Sequence, residues 1–64
     1  MQITLKAARV NKGLKQKEAA KKLGVTTKTL ASWESFKTMP NADKIILICE
    51  HYGVCYDDIK WKAS

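Results

Sequence analysis

The stretch QKEAAKKLGVTTKTLASWE, Gln16 to Glu34, sets two helix-like patterns on either side of only three residues, Gly24, Val25 and Thr26. That junction constrains the fold more than any other feature of the chain. So short a connection leaves no room for an excursion, and Gly24 reaches positive φ without a Cβ clash, so the two helices must meet at once and cross steeply. The first pattern starts near Gln16, buries Ala19, Ala20 and Leu23, and stops at Gly24. The second follows Thr26, whose hydroxyl suits an N-cap. It turns Leu30 and Trp33 inward and leaves Thr27, Lys28, Ala31 and Ser32 on a face the core does not need.

Upstream, a helical pattern from Thr4 carries Leu5, Ala8 and Val10 and stops at Gly13. Downstream, MPNADK is a stop and a restart: Pro40 breaks the chain, Asn41 caps, and Asp43 sits in the first turn near the positive end of the helix dipole. The fourth pattern buries Ile45, Ile48, Cys49 and Tyr52 and stops at Gly53, and a last short turn from Tyr56 to Lys60 docks Ile59. No segment sustains a two-residue alternation. The expected class is all-α, a compact bundle of five short helices in a single domain over residues 1–64, near the lower size limit for an independent core.

Charge gives the first functional clue. Residues 1–40 hold nine basic side chains against two acidic, net +7, while residues 41–64 hold three against four, net −1. A basic half joined to a near-neutral half is expected where one side faces a polyanion and the other packs or meets a protein. The longest apolar run, Ile45 to Cys49, is too short to span a bilayer, and the first ten residues lack a signal-peptide core, so the expected setting is cytoplasmic, in a bacterial cell or phage-infected host. Cys49 and Cys55 read as a reduced pair. Cys49, His51 and Cys55 lack zinc-finger spacing, and no metal or cofactor is expected. Neither is an enzyme or a small-molecule substrate: there is one His, no nucleophile beside a base and no phosphate-binding glycine loop.

At this point the chain resembles the lambda-repressor-like helix-turn-helix proteins, which include phage Cro proteins, phage repressors and small bacterial regulators. The similarity runs from about Leu5 to Ile59 and rests on the order and spacing of ARVNKGLKQKEAAKKLGV, TLASWE, KTMPNADKII and YGVCYDDI. The resemblance implies sequence-specific binding of double-stranded DNA, commonly as a homodimer on a two-fold operator. It implies base contacts from Thr27 and Lys28, with Ser32 one turn later, and phosphate contacts from Gln16 and Thr29 and from the loop carrying Lys37. It also implies a partly buried ion pair between Arg9 and Glu34.

Side-chain chemistry agrees with these roles. Lys28 can donate to guanine O6 and N7, and Thr27 can bond a base or set its methyl against thymine. Gln16, Thr26 and Thr29 can bond phosphate oxygens near helix N-termini. The strip Val54, Cys55, Tyr56 and Trp61 is the candidate dimer contact, being apolar and in the near-neutral half, with packing onto the chain's own core the other role open to Trp61.

Departures from the family pattern raise further expectations. Lys15 stands where an N-cap Ser or Thr is usual, and Ala8 and Ala19 stand where larger aliphatics are usual, which leaves either a locally thinner core or space that Trp33 and Tyr52 fill. Phe36 replaces a frequent Gly after the third helix, where positive φ is costly for an aromatic residue, and with Met39 it is a candidate for contact with DNA sugars or a partner. The main reading is a Cro-like phage or prophage repressor. The competing one is a protein-interaction module on the same fold: an antitoxin, an antirepressor or a regulatory subunit.

Overall fold

Thr4 opens the first helix by accepting a hydrogen bond from the Ala7 amide at 3.0 Å, and helix α1 then runs Leu5–Asn11. A computed structural model, describing residues 2–63, follows it with α2 (Gln16–Leu23), α3 (Thr27–Glu34) and α4 (Ala42–Tyr52). Asn41 caps α4 through its side-chain oxygen, which accepts from the Lys44 amide at 3.0 Å, and Gly53 ends it in the left-handed conformation. No helix among the described residues is long and apolar enough to cross a membrane.

The class is all-α, but the helices number four among the described residues, not five. Tyr56–Asp58 makes a single 3-10 turn, and Ile59–Lys60 (β2) then lies parallel to Ile3–Thr4 (β1), with Ile3 opposite Ile59 and Thr4 opposite Lys60. A two-residue ladder has too few positions to show a period of two, and its partners lie at opposite ends of the chain, so no local pattern announces it. Pairing there satisfies backbone groups next to Ile59, whose side chain is fully buried.

The core takes Leu5 and Ala8 from α1, Ala19, Ala20 and Leu23 from α2, Leu30 and Trp33 from α3, and Ile48 and Tyr52 from α4, with Ile59 and Trp61 closing one end. Ala8 and Ala19 are buried in the same cluster as Trp33 and Tyr52, so two large rings share one core with small side chains. Ile45 and Cys49 pack only half-buried against this core. Val10, read as part of the first apolar stripe, is 56% exposed. The buried stripe of α1 is Leu5, Ala8 and Arg9, which puts a charged residue where the fourth-position repeat demands an inward side chain.

Arg9 is accommodated because its donors are matched. Its Nε donates to Glu34 Oε2 at 2.7 Å, its Nη2 to Glu34 Oε1 at 3.4 Å and its Nη1 to the Leu14 carbonyl at 2.8 Å. Both side chains are more than nine-tenths buried. The pair fastens α1 to α3 and also holds the α1–α2 loop. Lys44 makes a second cross-link from α4, donating from Nζ to the Leu23 carbonyl at 2.9 Å, a cation at the negative end of α2.

Tyr52 is the opposite case. Its hydroxyl is buried with no hydrogen-bond partner among the described residues. Burial, helped by the Glu34 charge and opposed by Arg9, raises its pKa from 10.0 to about 12. Both Cys49 and Cys55 are free thiols, and burial, then proximity to Cys55 and Asp58, pushes the Cys49 thiol up.

Two outcomes test this arrangement. Arg9→Ala strands the Glu34 carboxylate and the Leu14 carbonyl, and should lower stability by about 3 kcal/mol, seen as a fall of roughly 15 °C in melting temperature. Arg9→Met combined with Glu34→Leu should recover most of that, and an unchanged melting temperature for Arg9→Ala would show that the pair ties nothing. For Tyr52 the folded chain holds the phenol proton more tightly than the unfolded chain. Its contribution is therefore complete below pH 10.0 and lost as pH rises to about 12. Tyr52→Phe should remove that part of the alkaline loss in thermal melts, while leaving stability at neutral pH equal or higher because an unpartnered hydroxyl is gone.

Candidate nucleic-acid interface

The turn between α2 and α3 is built from two complementary ends. Gly24 sits at φ 72°, ψ 31°, and the amides of Gly24 and Val25 donate to the Lys21 and Ala20 carbonyls at 3.2 and 3.0 Å. This satisfies the last carbonyls of α2 in a Schellman closure. Val25 packs half-buried against the core, and Thr26 then starts α3 by accepting from the Thr29 amide at 3.1 Å. With one end closed and the next capped within three residues, the first turn of α3 is held firmly relative to α2.

On that first turn Thr27 and Lys28 are exposed, and one turn later Ala31 and Ser32 are half-exposed. Leu30 and Trp33 anchor the opposite face in the core. The four outward residues are a short, mainly polar stripe, since positions 27 and 31 and positions 28 and 32 are each one helical turn apart. Ala31 is the apolar member of that stripe. Its spacing of four from Thr27 sets its methyl group on the same face.

The hydroxyls of Thr26 and Thr29 lie 3.0 Å apart. Whichever donates, one hydroxyl proton of the pair stays available to an outside acceptor. Gln16 is half-buried at the start of α2, and its amide nitrogen donates to Glu34 Oε1 at 3.0 Å. One of its two amide hydrogens is thereby used, and the other is left for a second acceptor. Lys15 occupies the N-cap of α2 without a side-chain cap bond, and the cap comes instead from the third residue of the helix: Glu18 Oε1 accepts from the Lys15 amide at 2.9 Å.

Beyond α3 the chain closes on itself in a second Schellman arrangement. The Phe36 amide donates to the Trp33 carbonyl at 3.2 Å and the Lys37 amide to the Ser32 carbonyl at 3.0 Å, with Phe36 at φ 64°. An aromatic residue thus takes the conformation that favours glycine, at a cost of about 1 kcal/mol or more. Lys37 and Thr38 are exposed on the turn that follows.

The C-terminal strip divides. Trp61 is buried in the chain's own core, stacked on Tyr56 with ring centroids 5.6 Å apart, and its Nε1 donates to the Tyr56 carbonyl at 3.0 Å. Val54 is half-buried, while Cys55 and Tyr56 remain exposed. Met39 lies on this side, lining a surface pocket with Tyr56, Ile59 and Trp61.

No curated protein and no solved structure matches the chain. A helix-turn-helix family model, HTH_3, does match it, over residues 5–59, a span that runs from the first residue of α1 to the buried Ile59. With α2, the Gly24 turn and α3 arranged as described, the chain belongs to the lambda-repressor-like helix-turn-helix family of DNA-binding regulators.

Proposed function

We propose that the protein is a sequence-specific regulator of transcription, a Cro-like phage or prophage repressor that binds a palindromic operator in double-stranded DNA as a homodimer. The observation that carries the reading is the exposed pair Thr27 and Lys28 on the first turn of a helix fixed at both flanks. Helix α3 enters the major groove. Lys28 reaches guanine O6 and N7, Thr27 and Ala31 meet thymine methyls or base edges, and Ser32 bonds whichever base lies one turn further.

Phosphate contacts set the register. The proton left over on the Thr26 and Thr29 hydroxyl pair and the second amide hydrogen of Gln16 both suit phosphate oxygens, and Lys37 adds charge where the chain leaves α3. Because Gln16 is held by Glu34, and Glu34 by Arg9, its amide is aimed before DNA arrives. Lys44 stands apart from this set, since its ammonium group serves the end of α2. Repression is by occlusion. Two copies of α3 lie in successive major grooves roughly 34 Å apart on one face of the duplex and exclude polymerase. Val54, Cys55 and Tyr56 form the dimer contact in the near-neutral half, with Trp61 stiffening the strip from beneath.

Selection from a random duplex library at about 150 mM salt, a concentration at which non-specific binding is weakened, tests the reading with wild type and Lys28→Ala side by side. Wild type should enrich a palindromic site, and Lys28→Ala should lose one base preference in each half at about 1–3 kcal/mol. Enrichment of no duplex by wild type would overturn specific DNA binding and favour a protein partner. On the enriched site, Lys37→Ala should weaken binding for all sequences alike and reduce the slope of log affinity against log salt by about 2, one phosphate contact being lost from each protomer of the dimer. A slope unchanged by that substitution would remove Lys37 from the phosphate set.

A further inference from the structure

The 3-10 turn and the extended residues after it border a surface pocket of about 360 Å³, a volume within the range of small-molecule sites. Its floor is part of the core, since Ile59 and Trp61 both line it and both are buried. Above the floor stand Tyr56 and Met39, two apolar side chains left exposed. The Tyr56 ring stacks on Trp61, yet Tyr56 is still 51% exposed, so the stack leaves much of that ring open. Because Trp61 Nε1 also donates to the Tyr56 carbonyl at 3.0 Å, backbone and stacking together hold the aromatic pair in place.

The polar part of the lining has one sign. Along the extended segment, Ile59 and Trp61 are buried while Lys60 and Lys62 are exposed, and both lysines border the pocket. Neither ammonium group has an ion-pair partner among the described residues. Gln2, also in the lining, spends one amide hydrogen on the Asp57 carbonyl at 3.4 Å and has a second to give. No carboxylate lines the pocket: Asp57 is not among its residues, and the Asp58 side chain accepts from the Cys55 amide at 2.9 Å. The near-neutral half of the chain thus contains a local cationic spot set against an aromatic surface.

We propose that this pocket binds a small molecule with a flat aromatic body and one anionic group, a carboxylate or a phosphate. The body lies against the open part of the Tyr56 ring and the Met39 thioether, surfaces that favour a planar π system. The anionic group lies at Lys60 and Lys62, and the second amide hydrogen of Gln2 completes its shell. A purely apolar guest would leave both cations unmatched, and a bare anion would leave the ring and the thioether in water, so the lining calls for both parts in one molecule. The site goes beyond the DNA-binding reading and does not depend on it, since no residue of α3 lines the pocket.

The test titrates the full chain with naphthoate, naphthyl phosphate and the neutral naphthamide at low salt, followed in assigned amide and indole NMR spectra. Both anions should move the Trp61 indole signal and the Tyr56, Lys60 and Lys62 amides together and saturably, and naphthamide should bind about fivefold more weakly. The tighter of the two anions identifies the headgroup. Lys60→Gln combined with Lys62→Gln, both exposed, should keep the wild-type melting temperature, bring the anions down to the naphthamide level and leave naphthamide unchanged. Tyr56→Ala, which retains the carbonyl that Trp61 bonds, should weaken all three by about tenfold. Equal binding of naphthamide by wild type would overturn the anionic requirement, and equal shifts from inorganic phosphate alone would overturn the aromatic one. Lining signals that follow protein concentration and no probe would overturn the proposal by giving the pocket to a second copy. Operator binding is read separately by the library selection, so a failure here leaves the regulator reading standing.

Discussion

Arg9 brings a guanidinium with three engaged nitrogens into the interior of a very small domain, and the relation between the helices depends on how those nitrogens are matched. Two reach the Glu34 carboxylate from α1 to the end of α3, and the third holds the Leu14 carbonyl in the loop before α2. Glu34 in turn accepts from Gln16 at the first residue of α2. Three segments that otherwise touch through alanines and a few large side chains are thus fixed by a planar, directional group. Desolvating two charges is costly, and the arrangement holds because the fork of Arg9 and both oxygens of Glu34 are satisfied together.

That network explains how so little core keeps a helix in a defined orientation. The buried face of α2 is Ala19, Ala20 and Leu23, which allows close approach but little shape-keyed locking. Trp33 and Tyr52 supply bulk in the core that Ala8 and Ala19 share. Orientation comes from the polar ties, Arg9 to Glu34 on one side and Lys44 to the Leu23 carbonyl on the other. The same ties decide which cations remain free for an outside anion: Arg9 and Lys44 are used internally, whereas Lys28 and Lys37 are exposed.

The three left-handed glycines and Phe36 divide the work of ending segments, and only Phe36 does so under strain. Gly24 shows the ordinary solution, a Schellman closure with no Cβ in the way. Phe36 builds the same closure with a half-buried aromatic side chain on the turn after α3.

The sequence by itself determined whatever depends on neighbours three or four residues away. The caps at Thr26 and Asn41, the left-handed stops at Gly24 and Gly53, and the inward phase of Leu30 and Trp33 all follow from local hydrogen bonding and the 3.6-residue period. These place Thr27 and Lys28 outward before any tertiary contact is known. Only the tertiary structure decided that α1 leaves Val10 exposed, that Trp61 completes its own core, and that the fifth helix is a single turn followed by a parallel bridge to Ile3–Thr4. It also decided the direction of the Gln16 amide, whose partner is 18 residues away, and the use of Lys44, whose partner is 21 away. Choices of that kind depend on which distant group is left unsatisfied once the helices pack, and no periodicity in the chain records it.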